Sequence, residues 1–209
     1  SAGACEAVVR ALEQHMSEVG VSEQACRAII NLSVNDANKP RLASAGACEL
    51  VVRALECHAA VVGVARYACW AISTLSFNDA NGTRLASAGA CELVVRALEQ
   101  HMSEVGVAEQ ACRAITNLSF NDANKPRLAS AGACEAVVRA LECHVAVVGV
   151  AKQACWAIGN LSANDQRIKA HLTRLRAREA AVRAKEQHAA VTDVVEQASR
   201  AMNNLLEAT

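Results

Sequence analysis

The residues of this chain best suited to metal binding or covalent chemistry are its ten cysteines and six histidines. His15, His58, His101 and His144 recur every 43 residues, and two of them directly follow a cysteine, in Cys57-His58 and Cys143-His144. A metal holds its ligands at about 2.0–2.3 Å, whereas histidines one repeat apart sit about one helix spacing away, roughly 8–10 Å. The series therefore predicts no metal site. Neighbouring helix residues point to different sides, so Cys57 and His58 do not read as a nucleophile and its base. The glycines recur singly at repeat boundaries, which leaves no phosphate-cradling loop. Cys5, Cys48, Cys91 and Cys134 form one further series; Cys26, Cys69, Cys112 and Cys155 form another. Each lies in an Ala- and Val-rich helical pattern, where Cys acts as a small buried hydrophobe. This predicts free thiols in a reducing, intracellular setting (cytoplasmic or nuclear) rather than a disulfide framework. No catalytic residue, metal or cofactor is expected.

The elements that position these residues follow from the repeat. SAGACE begins at Ser1, Ser44, Ser87 and Ser130, a period of 43, within the band of about 40–47 residues used by stacked helical repeats. The first and third units differ only at Ala7/Leu93, Ser22/Ala108, Ile30/Thr116 and Val34/Phe120. The second and fourth share Cys57/Cys143 and Trp70/Trp156, as if a two-repeat block of 86 residues had been duplicated. In each unit, Cys5, Val8, Val9, Leu12 and Met16 and then Val21, Ala25, Ala28, Ile29 and Leu32 mark the apolar faces of two helices. A shorter helix precedes the pair in later units, with Asp36 or Asn38 as its cap, Pro40 in its first turn and Gly46 as a left-handed end. The composition agrees: 53% hydrophobic but 2% aromatic residues suit close helix packing better than a β-sandwich.

Lys plus Arg (21) balance Asp plus Glu (21), so no global field favours nucleic acid or an anionic membrane. No apolar run approaches the roughly 20 residues that span a bilayer, and Ser1-Ala2-Gly3 opens no signal peptide. The missing initiator Met reads as a processed, excised or engineered fragment. Residues 164–209 form a diverged last unit in which Arg178 and Lys185 replace the Cys and Leu of the earlier pattern, as a solubilising cap requires. The basic cluster from Arg167 to Lys185 reads as a solvated capping surface, since no aromatics interleave to stack on bases. The first helix is nearly as apolar as the internal ones, and self-association through that uncapped edge is expected.

Val21 and the segment Glu23-Gln24-Ala25-Cys26-Arg27-Ala28-Ile29-Ile30-Asn31-Leu32 resemble the third helix of an armadillo repeat. Ala45-Gly46 is similar to the end of that family's first helix, and Trp70 and Trp156 fall on its Trp position. The resemblance covers nearly the whole chain. It implies an all-α, right-handed α-solenoid of armadillo-type three-helix repeats, one domain over 1–209. Its units are 1–43 (lacking the short first helix), 44–86, 87–129, 130–163 and 164–209.

The resemblance also implies a function. In armadillo proteins the third helices line a concave groove, where an Asn ladder grips the backbone of an extended peptide. Carried over, the ladder is Asn31, Thr74, Asn117, Asn160 and Asn204, broken at Thr74. One turn earlier stand Arg27, Trp70, Arg113, Trp156 and Arg200, and before them Gln24, Tyr67, Gln110, Gln153 and Gln197. Glu23–Arg27, Glu109–Arg113 and Glu196–Arg200 have the spacing of helical ion pairs. Arg66 and Lys152 are spaced for cation–π contact with Trp70 and Trp156. Tyr67 and Trp70 are the candidate hot spot. The expected partner is a protein or peptide segment of mixed charge, not a membrane and not nucleic acid. The competing reading is an engineered, consensus-like scaffold with no ligand of its own; Tyr67, Thr74 and Asn81-Gly82-Thr83 look more like natural drift. A working groove should leave Asn31, Asn117, Asn160 and both tryptophans exposed and aligned, whereas a bare scaffold allows them to be buried by neighbours.

Overall fold

The computed structural model describes residues 3–206. Ser1 and Ala2, which open the first SAGACE motif, lie outside the described residues. The chain opens with α1 (Ala4–Gln14) and α2 (Val19–Ser33). Three triplets follow: α3 (Asn38–Ser44), α4 (Ala47–Cys57) and α5 (Val62–Leu75); α6 (Asp79–Ser87), α7 (Ala90–Gln100) and α8 (Val105–Leu118); and α9 (Lys125–Ser130), α10 (Ala133–Cys143) and α11 (Val148–Ser162). A single 3-10 turn, Asp122–Asn124, leads into α9. The last triplet is α12 (Gln166–Arg174), α13 (Ala177–Gln187) and α14 (Thr192–Asn204). Among the described residues there is no strand, and no helix is long and apolar enough to cross a membrane.

Turn chemistry sets where each triplet bends. Gly46, Gly89 and Gly132 join the short helix to the next one at φ 96, 95 and 90, a left-handed conformation that side chains disfavour. In the last triplet Arg176 takes that place at φ 58. The expected caps, Asp36 or Asn38, are corrected by the structure. Asn78 caps α6 by accepting from the Asn81 amide at 3.1 Å, and Asn35 and Asn121 accept from the second amide on in the same way. Asn38 instead turns inward and donates to the Leu32 carbonyl at 2.9 Å. Asn160 to Asn204 spans 44 residues rather than the usual 43; the extra residue is absorbed at Asn164, φ 61, after which Asp165 caps α12 with two bonds, from the amides of Arg167 and Ile168.

The triplets stack into two unequal layers. The third helices α2, α5, α8, α11 and α14 pack side by side along their lengths, while α1, α4, α7, α10 and α13 touch their like neighbours only sparingly. Small residues allow the inner layer to close up: Ala68, Ala71, Ala111, Ala114, Ala154 and Ala157 are all fully buried. Tight packing on one side and splaying on the other curves the stack, with the third helices on the short side.

The histidine series proves structural. Nε2 of His58, His101, His144 and His188 meets the carbonyl of Met16, Ala59, Met102 and Val145 at 2.6–2.7 Å, each one repeat back. A carbonyl only accepts, so Nε2 carries the proton. On the outer side Arg41–Glu6, Arg84–Glu49 and Arg127–Glu92 pair at 2.9–3.0 Å, and His171–Glu135 continues the row. Each exposed pair contributes about 0–1 kcal/mol, against roughly 1.5–3 kcal/mol for each fully buried Leu or Ile. Apolar stacking therefore dominates, and the polar ties set the register.

Candidate functional site

The inner face of the third helices carries the predicted ladder, but not with the expected exposure. Asn31 is exposed, Thr74 and Asn204 are half-buried, and Asn117 and Asn160 are each only 4% accessible. The reason is a bond to the preceding repeat. Asn117 Nδ2 donates to the Ser73 carbonyl and hydroxyl, both at 2.9 Å. Asn160 Nδ2 reaches the Thr116 carbonyl at 3.3 Å and Asn204 Nδ2 the Gly159 carbonyl at 2.8 Å. Thr74 turns back on its own helix, donating to the carbonyls of Trp70 and Ala71. The amide donors of Asn117, Asn160 and Asn204 thus tie helix to helix. Among the described residues, no hydrogen-bond donor meets their Oδ1 atoms.

The next row is more open. Arg27 and Arg200 are exposed, and Trp70, Arg113 and Trp156 are half-buried. Of the glutamine row, Gln24 is exposed, whereas Gln110 and Gln153 are buried, against expectation. Their Oε1 atoms are enclosed without a hydrogen-bond partner. Burial follows from the small neighbours that bring the inner helices together.

Aromatic placement is the face's most selective feature. The chain holds two Trp, one Tyr and two Phe, and all five lie on a third helix or directly after one. Tyr67 stacks on Trp70 with centroids 6.5 Å apart and planes at 14°. Phe120 meets Trp156 edge-on at 6.2 Å. Phe77 and Phe120 are 55% and 54% exposed, in register with Val34 one repeat earlier. Sequence reading passed over this edge series. Its signal is a large apolar residue recurring two positions beyond the terminal leucine of α2, α5 and α8, at Val34, Phe77 and Phe120.

The expected charge pattern is also corrected. Among the described residues no ion pair joins Glu23 to Arg27, Glu109 to Arg113 or Glu196 to Arg200. A methyl group at Gly63 would sit 2.2 Å from Glu23 Oε2, and one at Gly149 would sit 2.5 Å from Glu109 Oε2. These glycines are the second residues of α5 and α11, so each carboxylate lies at the positive end of the next helix. At the last interface Asp193 replaces that glycine and pairs with Lys152, which is therefore engaged there rather than over Trp156. Arg66 lies over Tyr67 at 5.4 Å, not over Trp70, and Arg27 lies over the same ring at 5.8 Å.

The Armadillo/beta-catenin-like repeat model matches residues 121–163. No curated protein sequence matches the chain. Among solved structures, the chain is similar to an engineered protein at 26% identity, with TM-score 0.85 over 97% of this chain and 81% of that one. A designed armadillo repeat protein in complex with the peptide (KR)4 is similar at 29% identity and TM-score 0.81, covering 98% and 82%. Another designed armadillo repeat protein is similar at 27% identity and TM-score 0.83, covering 98% and 83%. By its inner and outer helix layers, by the repeat matched at 121–163 and by these likenesses, the chain has the fold of an armadillo-type α-solenoid.

Proposed function

We propose that the concave face of the third helices binds an extended segment of a partner protein, of mixed charge. The observation that carries this reading is the placement of every aromatic residue on that face or its edge. No aromatic is fully buried in the core; Tyr67 and Trp70 pack on its edge and stay partly accessible, and Trp and Tyr are among the side chains that dominate binding energies. The ladder then acts mainly as a row of acceptors. Oδ1 of Asn117, Asn160 and Asn204 faces peptide N–H groups while Nδ2 holds the neighbouring helix. The peptide-bound designed neighbour lends support from a protein of similar architecture. We read residues 1–209 as one such domain, and the ten unpaired cysteines, eight of them buried, support an intracellular setting.

A second reading, an engineered scaffold without its own ligand, is favoured by the near-identity of the first and third units and by the helix-tying role of Asn117 and Asn160. Self-association is a further part of the proposal. Val8, Ala11, Val21 and Ala28 line an open apolar depression on α1 and α2.

A displayed library of random extended peptides separates the two readings. The intact chain is compared with a Trp70→Ala, Phe120→Ala variant whose melting temperature is checked first. The groove reading expects a peptide pool that the intact chain enriches and the variant loses by about tenfold or more, as for hot-spot residues. Identical selections by both proteins would leave the scaffold reading standing.

A further inference from the structure

We infer that the groove's recognition centre, where the first three repeats meet, takes the carboxylates of an acidic peptide segment. This rests on the groove reading above and gives it a polarity. Arg27 and Arg66 both lie over the Tyr67 ring, at 5.8 and 5.4 Å, and Tyr67 in turn stacks on Trp70. Both arginines are exposed, and among the described residues neither is in an ion pair. A guanidinium resting on a ring is held in place while the donors along its edge stay free, the arrangement that grips a carboxylate with two parallel bonds.

The carboxylates on these helices are turned to neighbouring helix starts rather than paired with these cations. Glu23, the carboxylate nearest Arg27 in sequence, sits against Gly63 at the start of α5, and Glu109 sits against Gly149 at the start of α11. Arg66 extends toward the third repeat, where a methyl group at Gly106 would lie 3.1 Å from its Cδ and Nε. Beyond it on the inner face stands Arg113, half-buried and also without an ion pair. In a chain of zero net charge, two free guanidiniums over the Tyr67 ring, with Arg113 beyond them, outnumber Glu23 and Glu109 on this stretch of the face. Like charge facing this stretch is penalised and opposite charge is drawn in. A peptide such as (KR)4, bound by the designed neighbour, is the wrong polarity for this centre.

The test uses the same peptide library on the intact chain, on an Arg27→Glu, Arg66→Glu variant, and on an Arg27→Gln, Arg66→Gln variant that guards against charge-reversal damage. The expected pool from the intact chain is enriched in Asp and Glu about fivefold over the library, and that enrichment weakens with added salt. The glutamine variant loses the enrichment, and the glutamate variant selects Lys and Arg instead. A neutral or basic pool that the Trp70→Ala, Phe120→Ala variant still loses would overturn the acidic polarity and leave the groove intact. No pool that depends on Trp70 and Phe120 would overturn both.

Discussion

The thiols of Cys26, Cys48, Cys69, Cys134 and Cys155 lie in the apolar layers between helices, where burial pushes each from the usual 9.0 up to about 12. Burial likewise pushes Cys91 up to about 11 and raises Cys112. The consequence for stability has a definite sign. Between about 9 and 12 the unfolded chain has released thiol protons that the folded chain retains, so stability falls as pH rises through that window and is unaffected below it. Each thiol contributes a loss of about 1.4 kcal/mol per pH unit there. Melting followed by circular dichroism is expected to be flat from about pH 7 to 8.5 and to drop steeply by about pH 10.5, and less steeply in a Cys26→Ala, Cys69→Ala variant. An equal drop in both proteins would remove the thiols as its cause. Burial of the two cysteine series was legible from sequence because each of their eight members recurs inside an apolar helical stripe. The role of the histidines was not, because each bonds to a backbone carbonyl 42 or 43 residues earlier, and a carbonyl has no side-chain signature.

Arg176 shows how an element's end is specified. Four copies of this corner use glycine at φ 90–96, and the fifth holds an arginine at φ 58. The left-handed conformation disfavours a side chain by roughly 1–2 kcal/mol. Arg176→Gly is therefore expected to stabilise the chain by about 1 kcal/mol, raising the melting temperature by about 2–4 °C. A lower melting temperature would mean that the Arg176 side chain makes a stabilising contact that outweighs its backbone strain. Gly46 was identified from sequence as the left-handed corner because a lone glycine between two apolar patterns has few other uses. The cap of the short helix was misassigned because Asn35, Asp36 and Asn38 all lie within one turn, and only the local backbone decides that Asn35 accepts. The 3.6-residue period located the helices themselves, since each apolar stripe faces a neighbour in the stack.

At the scale of the whole molecule, curvature turns a one-dimensional repeat into a surface. The inner helices close up on Ala and Gly contacts while the outer ones splay, and the positions that recur every 43 residues become rows across a concave face. The rows were legible, because period and spacing fix them. Their exposure was not, because the approach of α5 to α8 and α8 to α11 buries Gln110, Asn117, Gln153 and Asn160. What stays accessible is the aromatic and arginine row and the edge formed by Phe77 and Phe120. The central claim, that this face holds a peptide, is tested most directly by the two indole N–H signals of Trp70 and Trp156 in an isotope-labelled correlation spectrum. The library-selected peptide pool would be titrated into the intact chain. Both indole signals are predicted to move with one common midpoint while the amides of α4, α7 and α10 stay in place. Peptide binding that leaves both indoles unmoved and shifts the outer helices instead would contradict the account.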